Sequence, residues 1–173
     1  FTMPGPMTIV DTLADDVYGD RPSLANAFAD ILNAEARELE AAGAAWIQFD
    51  EPAFNVYLEQ VPDWGIEALE RAVAGLSCKT AVHICYGYGI EANLKWKETL
   101  GDVWDQYRAT LPTLAGSSID AVSLEFAGAR VPIDVMAALD GRKDVLVGAI
   151  DVTTNDVESA EDVASVIRQA LEY

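Results

Sequence analysis

The one histidine of this chain and one of its two cysteines stand two residues apart, at His83 and Cys85. They lie in Thr80-Ala81-Val82-His83-Ile84-Cys85-Tyr86-Gly87-Tyr88-Gly89, an apolar run that ends in a glycine-rich turn. The run reads as a buried strand, and strand side chains alternate between faces. His83 and Cys85 therefore point the same way, one pleat apart. A neutral imidazole and a thiolate on one wall of a cavity are two of the ligands zinc prefers. Other apolar runs end in acids: Asp50 with Glu51, then Glu125, then Asp151. Buried carboxylates are costly when unpartnered, so several strand ends of this kind point to a shared polar site. His83, Cys85 and Glu125 together offer N, S and O donors, which suit zinc better than magnesium or calcium. Each residue taken singly has a plainer reading, as a strand-end acid facing water or a His-x-Cys packed in a core. Cys78 precedes its strand, out of phase with the site, and reads as packing. Trp96 and Trp104 read as helix packing.

The elements that position these residues alternate short apolar runs with helical periodicity, the pattern of an α/β protein with parallel strands. Phe1 to Thr8 reads as a strand end and a Pro/Gly turn, with its upstream half missing. Asp11 to Asp20 reads as a loop. Ser23 is placed to cap a helix to about Ala42, with Leu24, Ala27, Phe28, Ile31 and Leu32 on one face and Gly43 ending it. Ala45 to Asp50 is the next strand, and Gly65 to Leu76 the next helix. After the His83 strand, Glu91 to Leu114 is a long, partly helical excursion, as active-site construction often requires. Asp120 to Phe126 is a strand, Pro132 to Leu139 a short helix, and Asp144 to Val152 a fifth strand. Ser159 and Asp162 form a capping box for a last helix to about Leu171. About five strand-then-helix modules indicate a (β/α)8 TIM barrel. An open doubly wound sheet is the alternative, but no phosphate-binding glycine fingerprint follows the first strand. A complete barrel needs about 250 residues, so the chain reads as a single domain that is the incomplete C-terminal portion of one. Its open strand edges call for a missing segment or self-association to cover them.

The chain has 173 residues, 51% of them hydrophobic, which supports a globular core. Its net charge is −18, from 29 acidic residues against 11 Lys and Arg. A field of that sign repels nucleic acid and anionic membrane surfaces, so neither is expected as a partner. The same composition fits a protein working at high salt, where self-repulsion is screened. Two cysteines are too few for a disulfide framework. With no signal peptide and no membrane-length apolar run, the expected location is cytoplasmic. Phe1 in place of an initiator Met indicates that the natural start lies upstream.

WIQFDEPA (Trp46 to Ala53), HICYG (His83 to Gly87) and SLEFAG (Ser123 to Gly128) resemble consecutive signatures of the cobalamin-independent methionine synthase family. VGAIDVTTNDVES (Val147 to Ser159) and the final helix resemble its short core forms, which keep only the catalytic barrel. The resemblance runs in order over most of the chain. It implies zinc held by His83, Cys85 and Glu125, with a fourth cysteine ligand in an Asp/Asn-Cys-Gly segment that would follow Tyr173. It implies that Asp50 holds the amino group of homocysteine and that Glu51 orients the site. The longer enzymes carry a histidine shortly after the Asp matching Asp151, where this chain has Thr153. The methyl donor implied is therefore a methyl-folate or a methyl-corrinoid protein.

The expected chemistry is methyl transfer to the thiol of homocysteine, activated by Zn2+ as a thiolate, to make methionine. Another thiol alkyltransferase of the superfamily would use coenzyme M, whose sulfonate calls for a base near the strand ends. Only Arg130, Lys95 and Lys97 are placed for that, whereas Asp50 suits an amino group. A non-catalytic barrel fragment serving as a binding or assembly module is the remaining alternative.

Overall fold

The computed structural model describes residues 1–87, 91–139, 141–152 and 154–173. Five parallel strands lie in the order β1 (Thr2–Pro4), β2 (Trp46–Asp50), β3 (Lys79–Ile84), β4 (Ala121–Glu125) and β5 (Asp144–Gly148). Each pairs with the next in sequence, and a doubly wound sheet would instead reverse direction at a switch point. Consecutive parallel order is that of a barrel wall. The register aligns Asp50 with His83, His83 with Ser123, and Ser123 with Leu146.

The two faces of this wall differ. Ile47, Phe49, Val82, Ile84, Val122 and Leu124 are buried in one continuous apolar cluster with Leu32, Leu69, Ala72, Leu111 and Leu114 from the helices. The alternate residues form the inner face. There Trp46 remains 43% exposed and Leu146 44% exposed, since no opposing wall covers them among the described residues.

Between β1 and β2 run α1 (Pro6–Thr12) and α2 (Arg21–Ala41). The turn expected at Pro6 to Thr8 is thus the start of a helix. Pro6 sits in its first turn, where a missing N–H is harmless. The cap of α2 is Asp20, whose side chain accepts from the Ser23 N–H at 2.9 Å, rather than Ser23 itself. Its buried face is Leu24, Ala25, Ala29, Leu32 and Ala36, whereas Ile31 is 62% exposed. This helix packs on α4 (Ile66–Val73).

A short helix, α3 (Ala53–Val56), and a π-helical turn over Val61–Gly65 precede α4. After β3, the excursion contains two helices, α5 (Glu91–Glu98) and α6 (Gln106–Ala115). A 3-10 helix covers Ile133–Leu139, and β5 stops at Gly148, four residues before the expected Val152. The last helix, α7 (Ala160–Ala170), begins with the expected capping box of Ser159 and Asp162. No helix among the described residues is long and apolar enough to cross a membrane.

Candidate active site

Asp50, His83 and Ser123 form one row across the inner face, at the C-terminal ends of β2, β3 and β4. Their side chains point to the same face because parallel strands keep a common pleat across the register. Asp50 accepts a hydrogen bond from the Gln48 amide, its same-face neighbour, at 2.8 Å. His83 Nδ1 lies 2.9 Å from Ser123 Oγ, which fixes the ring.

One pleat further on come Cys85 and Glu125, with Glu125 opposite Gly148. The Cys85 side is buried, and burial pushes its thiol above the usual range, with the nearby charge of Glu125 acting in the same direction. Glu125 accepts from the Tyr86 N–H at 3.0 Å. Tyr86 is itself buried among Trp96, Trp104 and Tyr107, with ring centroids 5.9, 4.7 and 5.2 Å away. The tryptophans expected in helix packing are packed on Tyr86 and the apolar cluster, and Trp104 also lines a cleft with Glu125.

Two side chains hold the strand end that carries His83 and Cys85. Tyr107 of α6 donates to the Ile84 carbonyl at 2.6 Å, and Asn55 of α3 donates to the Cys85 carbonyl at 3.1 Å. Both are buried.

The donor set His83, Cys85 and Glu125 has the chemistry of a zinc site. It occupies one face of two neighbouring strands. Among the described residues, however, no group of three or more His, Cys, Asp or Glu side chains is arranged to hold a metal ion. Ser123 engages the imidazole and the Tyr86 N–H engages the Glu125 carboxylate.

Glu51 follows Asp50 but serves a different neighbourhood. It is fully buried and takes the Met7 N–H at 3.0 Å, the Thr8 N–H at 2.8 Å and the Thr8 hydroxyl at 2.7 Å. It supplies the acceptors that the first turn of α1 lacks. Burial pushes its carboxyl up to about 7, against these three hydrogen bonds. Gly5 passes so close that a Cβ there would lie 2.3 Å from the Glu51 carboxyl carbon.

Beyond β4 and β5 a cleft is lined by Lys97, Trp104, Glu125, Gly128, Gly148 and Asp151. Gly128 has φ +70°, and a Cβ there would meet the Asp151 carboxylate at 2.2 Å. Lys95 pairs with Glu91, and Arg130 with Asp102, both away from the inner row. Lys97 donates to the Gly87 carbonyl at 3.1 Å. Cys78 lies at the opposite end of β3, its N–H donating to Glu40 at 2.5 Å. Tyr88 and Gly89 of the expected glycine-rich turn, and Thr153, lie outside the described residues.

The alternation rule that joins His83 to Cys85 also places Ser123 on the face of Glu125, so Ser123 was within reach of sequence reasoning. Tyr107, Asn55 and Thr8 were not. Each meets the site from at least 18 residues away, with no local signature.

This sheet with acids and a His-x-Cys at its strand ends matches the catalytic-domain model of the cobalamin-independent synthases over residues 2–173. The chain belongs to this family. The family expected from WIQFDEPA, HICYG and SLEFAG is therefore the one found. Among relatives, the methionine synthase of Saccharolobus islandicus is 32% identical over 173 residues, covering 99% of this chain and 46% of that protein. That of Sulfurisphaera tokodaii is 29% identical, covering 99% of this chain and 45% of that protein. The solved B12-independent methionine synthase from Shewanella sp. W3-18-1, in complex with selenomethionine, is 57% identical with a TM-score of 0.94. The match covers 99% of this chain and 50% of that one. The chain thus spans about half the length of these relatives, and its sheet is part of a TIM-barrel-like fold.

Proposed function

We propose that this chain forms part of a zinc-dependent methyltransferase that transfers a methyl group to the thiol of homocysteine to make methionine. The observation that carries the reading is the row of Asp50, His83 and Ser123 with Cys85 and Glu125 one pleat beyond, at the strand ends of a cobalamin-independent synthase domain. His83, Cys85 and Glu125 would hold the zinc, by the chemistry of their donor atoms. When bound, zinc supplies a Lewis acid that keeps a thiol as thiolate at neutral pH.

The chain's own residues do the rest. Ser123 holds Nδ1 of His83 and so presents Nε2 as the donor nitrogen. Asp50 binds the ammonium group of the amino acid through a charge-assisted hydrogen bond. Glu51 supports the segment beside it by capping α1. Tyr86 and Trp104 exclude water from the side of Glu125, and positioning of thiol and methyl donor supplies much of the rate. The cleft bearing Lys97, Trp104 and Asp151 is the place for the donor, read here as a methyl-folate. The comparisons lend no support to a corrinoid partner or to self-association through the open edges, and the mechanism needs neither.

Lys95 and Arg130 are engaged with acidic partners and Lys97 with the Gly87 carbonyl, so the reading of homocysteine over a sulfonate thiol rests on Asp50 as the group suited to an ammonium. A second reading, a non-catalytic binding or assembly module, is favoured by the lack of a three-donor group among the described residues. Metal analysis of the complete protein, with an assay of methionine formed from homocysteine and a methyl-folate, separates the two. Stoichiometric zinc and turnover, both lost in Cys85→Ser, are expected. A zinc-free protein, or a Cys85→Ser variant of unchanged activity, overturns the enzyme reading.

A further inference from the structure

Strand β2 sorts its side chains by face. Ile47 and Phe49 are fully buried in the apolar cluster, while Trp46, Gln48 and Asp50 lie on the inner face. The inner face of a barrel is ordinarily filled by branched apolar residues. Gln48 departs from that rule, one pleat before the row of Asp50, His83 and Ser123. Its neighbours across the register are Thr2 of β1 and Ala81 of β3. Neither carries a charge, and a half-buried amide needs a partner to offset its lost hydration. That partner is Asp50, whose Oδ1 accepts from Gln48 Nε2 at 2.8 Å.

The direction of this bond is set by chemistry: an ionised carboxylate only accepts, so the amide must present its NH2 group. The bond occupies one carboxylate oxygen. Among the described residues, no hydrogen bond reaches Asp50 Oδ2. The donor is also neutral, so it holds the carboxylate without cancelling its charge. A lysine or arginine at position 48 would hold it too, but as an ion pair that competes with an incoming cation. The register neighbours of Asp50 offer no substitute. Pro4 of β1 has no side-chain donor, and the His83 ring of β3 is engaged by Ser123. Rotation of the Asp50 carboxylate is thus restrained from within its own strand, by the residue two positions earlier on the same face.

From these contacts we infer that Gln48 is a positioning residue that sets substrate specificity: its amide fixes Oδ1 of Asp50 and leaves Oδ2, with the charge intact, to the ammonium group of an amino-acid thiol. The inference rests on the reading of Asp50 given above and adds the group that makes its carboxylate selective. A thiol acid without an amino group gains nothing from this arrangement. The Gln48–Asp50 pair therefore discriminates among thiols by the ammonium alone.

The test is Gln48→Met in the complete protein with Zn2+ supplied, since Met is unbranched like Gln but carries no N–H donor. Titration calorimetry follows two ligands, homocysteine and γ-mercaptobutyrate, which is homocysteine without its amino group. Homocysteine affinity is expected to weaken by about tenfold, the scale of one hydrogen bond to a charged group. Affinity for γ-mercaptobutyrate is expected to change by less than about twofold, whereas a merely structural role would weaken both ligands alike. Gln48→Lys keeps a donor but adds a charge, and it decides the question if Gln48→Met does not fold. It is expected to weaken homocysteine by at least as much. Equal losses for both ligands, or wild-type homocysteine affinity in either folded variant, overturn the positioning role. Asp50→Asn separates this role from the reading beneath it. If Asp50→Asn binds homocysteine as wild type does, or wild type binds none, the ammonium reading fails and this inference with it. A loss in Asp50→Asn without one in Gln48→Met leaves that reading intact and removes Gln48 alone.

Discussion

Glu51 and Thr8 are joined twice, through the Thr8 N–H at 2.8 Å and the Thr8 hydroxyl at 2.7 Å, both on one carboxylate oxygen. This link ties the strand end carrying Asp50 to the first turn of α1. It also places an acid in an apolar interior, where burial raises its pKa from 4.5 to about 7. Between those two values the folded chain holds a proton that the unfolded chain has lost. Stability therefore falls as pH rises through that window and recovers on acidification, by up to about 3 kcal/mol. Urea unfolding of the complete protein at several pH values between about 5 and 8 should show this component in wild type and not in Glu51→Gln. Equal pH slopes in the two proteins would remove Glu51 as its source. At lower pH the sense reverses, since Lys79 holds Asp120 below the usual carboxylate range, and that contribution is lost as pH falls.

Among the described residues, the Asp50 carboxylate accepts from the Gln48 amide at 2.8 Å and forms no ion pair with a lysine or arginine. If it binds the substrate ammonium, Asp50→Asn should raise KM for homocysteine by about 10- to 100-fold, the loss of one charge-assisted hydrogen bond. Zinc content should be unchanged. A normal KM would assign the ammonium to another group.

Ser123 holds the His83 ring at Nδ1. Ser123→Ala should lower zinc affinity by about 10- to 100-fold, as loss of a ligand's outer partner does, with little change in melting temperature. Competition with a chelator measures it. Unchanged zinc retention would mean that the hydroxyl only packs against the ring.

Gly5 has an ordinary negative φ of −80°, so its small size serves packing rather than backbone conformation. A Cβ at that position would lie 2.4 Å from Glu51 Oε1. Gly5→Ala should therefore destabilise the protein by about 1–3 kcal/mol and disturb the α1 start, readable by thermal unfolding. A neutral result would show that the Glu51 side chain can move aside.

The net charge of −18 predicts salt-dependent stability. Screening the self-repulsion should raise the melting temperature as KCl increases from low levels to about 1 M. A maximum at low ionic strength would count against adaptation to high salt.

Strand positions and the residues at their ends were legible because both depend on local pattern. Trp46 to Asp50 and Ala121 to Glu125 alternate as strands must, and the Ser159–Asp162 box marks its helix from three residues of sequence. The helix at Pro6 was missed because its first turn is capped by Glu51, 44 residues away from Met7. The buried face of α2 was misjudged for a similar reason. Ile31 is apolar yet faces solvent, while Ala25, Ala29 and Ala36 are buried, and only the partner surface decides between them.

The sequence by itself determined the family, the barrel-type alternation and the face shared by His83 and Cys85, because a period of two needs no knowledge of what lies opposite. Only the tertiary structure decided that Ser123 holds His83, that Glu51 turns toward α1, and that the Tyr107 hydroxyl meets the ends of β3 and β4. Such contacts join residues distant in the chain, and their geometry is set by the packing of helices on the sheet rather than by any local preference.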